Sequence, residues 1–412
     1  MTPESGKILK TYLTLVLLST LASSFIWGIN TLFLLDAGLN ITEAFAANAF
    51  FTIGQVLFEV PTGVVADTVG RRASYLLGTA TLFLSTAFYL LLWQTHGAFW
   101  LWAVASILLG LGFTFFSGAT EAWLVDGLHA TGYKGTLDAV FAKGQIVGGV
   151  AMLLGTVGGG VVAQFTNLGV PYILRIVLLA ITAVVAAVAM WDVGFTPSKR
   201  VSVSSEMKSV LRNSLKHGLG NPPVRWLMLA GPFTAGVGIY GFYAMQPYLL
   251  ELYGNTSSYT IAGLAAAIVA STQVIGGIMA PQVRKLFRLR TSALIVAVGV
   301  SAAALIGIGM VHNFWAALAL LSVWGAVFAA SIPIRQAYMN GLIPSAQRAT
   351  VLSSDNLLGS AGGAVIQPGL GKVADVHGYA SSYIVGGTIE LLAIPFVYLA
   401  RKQRAKADEV VK

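Results

Sequence analysis

Twelve apolar stretches, each long enough to cross about 30 Å of hydrocarbon as a helix, constrain this chain more than any other feature. They fall at about 11–37, 44–66, 74–94, 97–126, 139–165, 169–191, 224–250, 258–281, 291–311, 314–339, 351–374 and 380–400. Charged residues make up 10% of the 412 and apolar ones 56%, whereas a soluble chain carries about 25% charge to present a wetted surface. The main solvent is therefore lipid, and the expected fold class is an all-α membrane protein of twelve transmembrane helices. The breaks between stretches are short, except 192–223, which holds Lys199, Arg200, Lys208, Arg212, Lys216 and Pro222-Pro223. This reads as a hydrophilic linker with a short amphipathic helix around 203–218. The expected organisation is a six-helix bundle at 1–191, the linker at 192–223, a second bundle at 224–400 and a tail at 401–412.

The chain has no cysteine, and its five histidines, His96, His129, His217, His312 and His377, fall near expected helix ends or loops, so neither metal nor cofactor is expected. The net charge of +9 is dispensed in small groups between apolar stretches, which argues against nucleic acid and for membrane topology. With both ends placed in the cytoplasm, all but four of the 25 lysines and arginines fall on cytoplasmic segments, as the positive-inside rule requires. The exceptions are Lys143, Arg175 and Arg335 within spans and Lys372 at an outer end. The first apolar run reads as a retained helix, not a signal peptide. The expected location is an inner or plasma membrane.

An internal repeat supplies the architecture. A shift of 214 residues lays the second to fifth spans on the eighth to eleventh without a gap: Val60, Gly63 and Ala66 fall on Val274, Gly277 and Ala280, and Gly127, Leu128, Gly148, Gly149 and Gly155 on Gly341, Leu342, Gly362, Gly363 and Gly369. Two parallel half-length repeats are the build of a two-bundle transporter with its site between the halves. No Gly-x-x-x-x-Gly-Lys-Ser/Thr phosphate loop occurs, which excludes ATP-driven transport by this chain. Nor does a channel's Gly-rich selectivity loop, so gradients must supply the energy.

After the second span the chain reads Gly63-Val-Val-Ala-Asp67-Thr-Val-Gly70-Arg71-Arg72. This resembles motif A of the major facilitator superfamily, and the twelve-span, two-half pattern extends the resemblance over nearly the whole chain. Glycines here permit close helix contact and a tight turn, and Asp67 suits a neighbouring helix N-terminus. The resemblance implies a gate latch of Gly63, Asp67, Gly70, Arg71, Arg72 and an acid at the end of span four, where Asp126 stands; a passive helix staple is the plainer reading. The second-half copy, Gly277-Ile-Met-Ala-Pro281-Gln-Val-Arg284-Lys285, has lost the aspartate. Gly155-Thr-Val-Gly158-Gly159-Gly160 resembles the tail of the antiporters' motif C without its proline, and ordinary helix packing explains it equally.

Ionisable groups inside spans are costly and by default functional. Glu59 lies in span two and Glu121 in span four; the repeat maps them onto Gln273 and Arg335, so opposite charges occupy pseudo-equivalent places. A carboxyl in a low-dielectric cavity suits a residue that loads and releases a proton. Glu59, Glu121, Arg335 and Lys143 are therefore the proton-coupling or substrate candidates. Lys143 has pairing with Glu121 or Glu59 and snorkelling as its two readings, Arg175 is expected to snorkel outward, Asp355 to cap span eleven or join the inner gate, and Glu390 to need a partner that sequence does not name. Cavity candidates are Trp27, Asn30, Phe113, Trp123, Tyr243, Gln246, Gln273, Trp324 and Tyr338, with Gln246-Pro247 resembling a proline-broken gating helix.

The resemblance, closest in flavour to the twelve-helix drug/proton antiporters, implies a monomeric secondary transporter, not an enzyme, working by alternating access and exchanging protons for small amphiphilic compounds. The Glu121-Ala-Trp run also resembles the molybdate-anion branch, which implies uptake or exchange of an anion held by Arg335 and Lys143. A lipid flippase and a transport-dead sensor are the remaining readings of the same scaffold.

Overall fold

The computed structural model describes residues 2–197, 203, 205, 207–208, 212, 214–344 and 348–409. Among these the secondary structure is helical, with one isolated bridge, Leu289 to Glu409, in place of any strand. The helices are α1 (Pro3–Trp27), α2 (Asn30–Asp36), α3 (Ile41–Thr68), α4 (Arg71–Thr95), α5 (Phe99–Thr114), α6 (Ala119–Ala130), α7 (Leu137–Phe165), α8 (Val170–Ala189), α9 (Pro222–Tyr253), α10 (Tyr259–Lys285), α11 (Arg290–Met310), α12 (Phe314–Leu342), α13 (Arg348–Leu391) and α14 (Ala393–Lys402). The amphipathic helix expected at 203–218 falls largely outside the described residues; Ser214–Leu219 form a π-helical turn.

Eleven of these stretches are long and apolar enough to cross a membrane, the last being Val351–Lys402 with 52 residues. At 1.5 Å per residue that stretch would be more than twice the thickness of a bilayer core. Gly378, with φ 82° and ψ 164°, interrupts it, a conformation that a residue without a Cβ adopts freely. The break divides it into spans eleven and twelve.

The chain folds as two compact units: residues 1–38, 50–206 and 259–264 in the first, and 39–49, 207–258 and 265–412 in the second. In the first unit α1 lies along α7 and α8, and α4 along α5 and α8. Its α2 is pinned by aromatic packing, with Phe33 stacked on Tyr172 at 3.8 Å and edge-on to Trp102 at 6.1 Å. In the second unit α9 packs on α13, and α11 on α12 and α13. The tail closes this unit at one end. Asp408, 2% exposed, accepts hydrogen bonds from the backbone N–H of Thr291 at 2.8 Å and its hydroxyl at 2.7 Å. It thereby satisfies the open N-terminus of α11 from the far end of the chain.

Candidate functional site

Span four of the first unit is interrupted. Helix α5 stops at Thr114 and α6 starts at Ala119, with Gly118 between them at φ 69°. An L side chain there costs roughly 1–2 kcal/mol, which is why the turn needs glycine. The broken strip is fastened on two sides: the Ser74 hydroxyl donates to the Phe115 carbonyl at 2.9 Å, and the Ser117 hydroxyl donates to Glu59 Oε1 at 2.8 Å. Glu121 stands in the first turn of α6, where the positive helix end favours an anion. The break thus carries contacts to one carboxylate, the half-buried Glu59 of α3, and starts the helix that bears a second, the exposed Glu121 of α6. Among the described residues neither carboxylate forms an ion pair. Gly118→Ala is expected to lower the stability of the purified protein by about 1 kcal/mol, read as a fall in thermal midpoint.

Lys143 is exposed and takes no part in an ion pair among the described residues, so its pairing with Glu59 or Glu121 is not formed. Arg175 overturns the snorkelling expectation. It is 0% exposed, because its place on α8 faces α4 instead of lipid: Nε donates to Thr86 Oγ1 at 3.1 Å, and the guanidinium lies 5.7 Å from the centre of the Phe113 ring.

The loop after α3 is built differently from the latch that resemblance implies. Asp67 pairs with Arg71 four residues on, and Gly70 takes φ 130° as a tight turn. The acid that meets the turn is Asp192, which accepts from the Arg72 backbone N–H at 2.9 Å, while the Arg72 guanidinium stacks over Trp191 at 4.7 Å. Asp126 forms no ion pair among the described residues. Its backbone carbonyl instead lies against Gly194, where a Cβ would come within 2.7 Å. Gly63 is no close-contact glycine either, since a Cβ there would meet nothing within 4 Å. The turn is set by the short segment after α8, which wraps back and also receives the Trp123 indole N–H on the Trp191 carbonyl at 2.7 Å.

In the second unit Arg335 meets an acid from its own bundle. Its guanidinium grips both oxygens of Asp355 from α13, the Nη2 to Oδ1 bond being 2.6 Å, and donates to the Leu227 carbonyl at 2.9 Å. The pair lines a cavity of about 490 Å³ among α9, α11, α12 and α13, a volume suited to a small ligand. Of the residues singled out in sequence in this unit, Arg335, Asp355 and Glu390 line it, and Tyr243, Gln246, Gln273, Trp324 and Tyr338 do not. Trp324 and Tyr338 are buried in packing, 1% and 0% exposed, with Trp324 stacked on Phe328 at 5.9 Å. Gln246 is likewise buried, and α9 runs unbroken through Pro232 and Pro247, so the expected proline break is absent. Tyr243 and Gln273 are half-buried. In the first unit Trp27 and Phe113 are half-buried, Asn30 accepts from the Tyr172 hydroxyl at 3.0 Å, and Trp123 belongs to the core.

Sequence reasoning missed the break in span four, although Ser117-Gly118 is a turn dipeptide. It also missed Asp192, hidden at the edge of the linker, and Ser301, whose hydroxyl reaches Glu390 at 2.8 Å.

Comparison with known proteins agrees with this architecture. The chain resembles solved structures of a mutant nucleoside transporter NupG (11% identity, 94% of this chain and 99% of that one covered, TM-score 0.76) and a D-xylose–proton symporter (16%, 96% and 97%, TM-score 0.65). It also resembles a mutant POT peptide transporter in complex with sulfate (12%, 98% and 96%, TM-score 0.76). At such identities the likeness is one of fold. No curated protein sequence matches. The family description Major Facilitator Superfamily matches residues 12–367, most of both helix bundles, and the chain belongs to that superfamily.

Proposed function

We propose that this protein is a proton-coupled exporter of small amphiphilic compounds, working by alternating access in an inner or plasma membrane with both ends cytoplasmic. The observation that carries the reading is the break in span four, where Glu59 is fastened through Ser117 and Glu121 occupies the first turn of the following half-helix. Unwound carbonyls and half-helix ends inside membranes are where transporters hold ions and charged groups, and here the positive end of α6 is already met by the Glu121 carboxylate. Two carboxylates without ion pairs favour a proton or an organic cation over an anion. When Glu59 is ionised it accepts the Ser117 hydroxyl and holds the break to α3. Loading it with a proton weakens that acceptor, frees the break, and removes the charge that a cationic substrate needs. Proton and substrate therefore compete for one carboxylate, which is the basis of exchange.

The alternative, an anion carrier, is weakened by Arg335, whose guanidinium is already taken by Asp355 and Leu227. Proton release from the detergent-purified protein, on adding tetraphenylphosphonium or molybdate, separates the two. Tetraphenylphosphonium is expected to release protons in the wild type. Glu59→Gln is expected to reduce that release at least tenfold, equivalent to about 1.4 kcal/mol of lost coupling, and Glu121→Gln to weaken cation binding. Molybdate binding without proton release, lost in Arg335→Lys, which keeps the charge but not the guanidinium fork, would overturn the export reading.

A further inference from the structure

Glu390 is 2% exposed in the membrane-spanning part of α13 and is not used by the mechanism above. Its partner is Ser301 on α11, equally buried, whose Oγ lies 2.8 Å from one carboxyl oxygen and 3.0 Å from the other. A hydroxyl has a single hydrogen to donate but two lone pairs to accept with. Both short contacts are satisfied together when the carboxyl carries a proton: the acid O–H donates to Ser301 Oγ and the Ser301 hydroxyl donates to the acid C=O. An ionised carboxylate would share the one hydroxyl hydrogen between its two oxygens in a weaker three-centre bond, at the cost of a charge buried away from water.

Among the described residues Glu390 takes part in no ion pair. Glu390 lines the 490 Å³ cavity that Arg335 and Asp355 also line. The segments of α9, α11 and α14 that face the cavity, including Thr234, Ser301 and Val397, present no titratable group. Arg335, from α12, is held by both oxygens of Asp355 and by the Leu227 carbonyl. The cavity is wide enough for water, which gives the buried acid a route for its proton.

The same device occurs in the first unit with the charge reversed. Thr86 and Arg175 stand one residue out of the 214-residue register from Ser301 and Glu390, on the corresponding third and sixth spans of each half. In each unit the third-helix hydroxyl meets the sixth-helix charge, at 3.1 Å for Thr86 and Arg175 and 2.8 Å for Ser301 and Glu390. Arginine keeps its proton under all working conditions, so only the second copy of this contact can exchange one.

We propose that Glu390 and Ser301 form a second proton-binding site, inside the second bundle and separate from the Glu59 and Glu121 break, filled and emptied through the cavity. Infrared difference spectra of the full-length protein in lipid vesicles, taken between about pH 5 and pH 9 where buried glutamates titrate, test it directly and need no substrate. The expected result is a carbonyl-stretch band of a protonated carboxyl that fades as pH rises. The band is absent in Glu390→Gln, shifted in Ser301→Ala, and unchanged in Glu59→Gln. Proton titration should count about one proton fewer per chain in Glu390→Gln than in the wild type. A band that Glu390→Gln removes but that pH does not alter would show a fixed structural acid and overturn the proposal. Identical wild-type and Glu390→Gln spectra, or an unshifted band in Ser301→Ala, would overturn it as well. The Glu59→Gln arm keeps this outcome apart from the fate of the export reading.

Discussion

Removing either partner of the Arg335–Asp355 pair is expected to destabilise the second bundle by about 3–5 kcal/mol, because each loss strands a charge in a poorly solvated interior. The two single variants should differ. Asp355 has a side chain only 5% exposed, against 25% for Arg335, so Arg335→Ala leaves the better-buried charge unpaired and belongs at the upper end of that range. After Asp355→Ala the guanidinium keeps its bond to the Leu227 carbonyl and can turn toward water, which places this variant at the lower end. Changing both partners to leucine removes both desolvation costs together, and such replacements are often neutral or stabilising. Thermal unfolding of the detergent-purified protein should therefore rank Arg335→Ala below Asp355→Ala, and both well below the double leucine variant. A double variant as unstable as the singles would mean that the damage is lost packing instead of stranded charge. A stable double variant that no longer transports would assign the pair to transport, whereas one with full activity would make it structural.

The parts of this protein that sequence displays are those governed by lipid. Twelve apolar stretches and a 214-residue repeat suffice for the two-bundle fold, because a helix that must satisfy its own backbone in hydrocarbon leaves few alternatives. The site was only half legible. Glu59 and Glu121 stand out because carboxylates inside spans are rare, but nothing in hydropathy marks the turn whose Ser117 meets Glu59 and after which Glu121 opens α6: Phe115-Phe116 keep the apolar signal running straight through the break. The repeat aligned Glu121 with Arg335 but named no partner for the guanidinium, which meets an acid on α13, in its own bundle, whose pseudo-equivalent in the first half is Phe141. Arg175 was misread for a related reason. Proximity to a span end suggests snorkelling, yet which way a helical side chain faces is set by packing, and Thr86 and Phe113 lie on the inward side. The motif A turn was recognised by pattern, but its acid came from a segment, Trp191–Phe195, whose return path is not encoded in the motif at all.

Gly159→Ala is expected to prevent the first bundle from folding, although it adds one methyl group. A Cβ built at Gly159 would lie 1.9 Å from the Phe25 carbonyl oxygen and 2.8 Å from its carbon. Ordinary C···O contact is about 3.3 Å or more, so α7 and α1 would have to move apart by well over 1 Å. The obstructing atoms are helix backbone, which cannot rotate away as a side chain would, and overpacking of this kind costs about 3 kcal/mol or more. Gly149 on the same helix provides the control, since a Cβ there meets nothing within 4 Å; Gly149→Ala should be neutral or, through helix propensity, stabilising by up to about 1 kcal/mol. Yield and monodispersity on size-exclusion chromatography, with thermal unfolding of whatever is recovered, read both variants. Normal recovery of Gly159→Ala would show that α1 and α7 do not approach so closely. The expected failure would account for the glycines at 155 and 159 by packing alone, since a Cβ built at Gly155 would likewise come within 2.6 Å of Ser24 Cβ. The case for export would then rest on the carboxylates at the span-four break and not on a glycine motif.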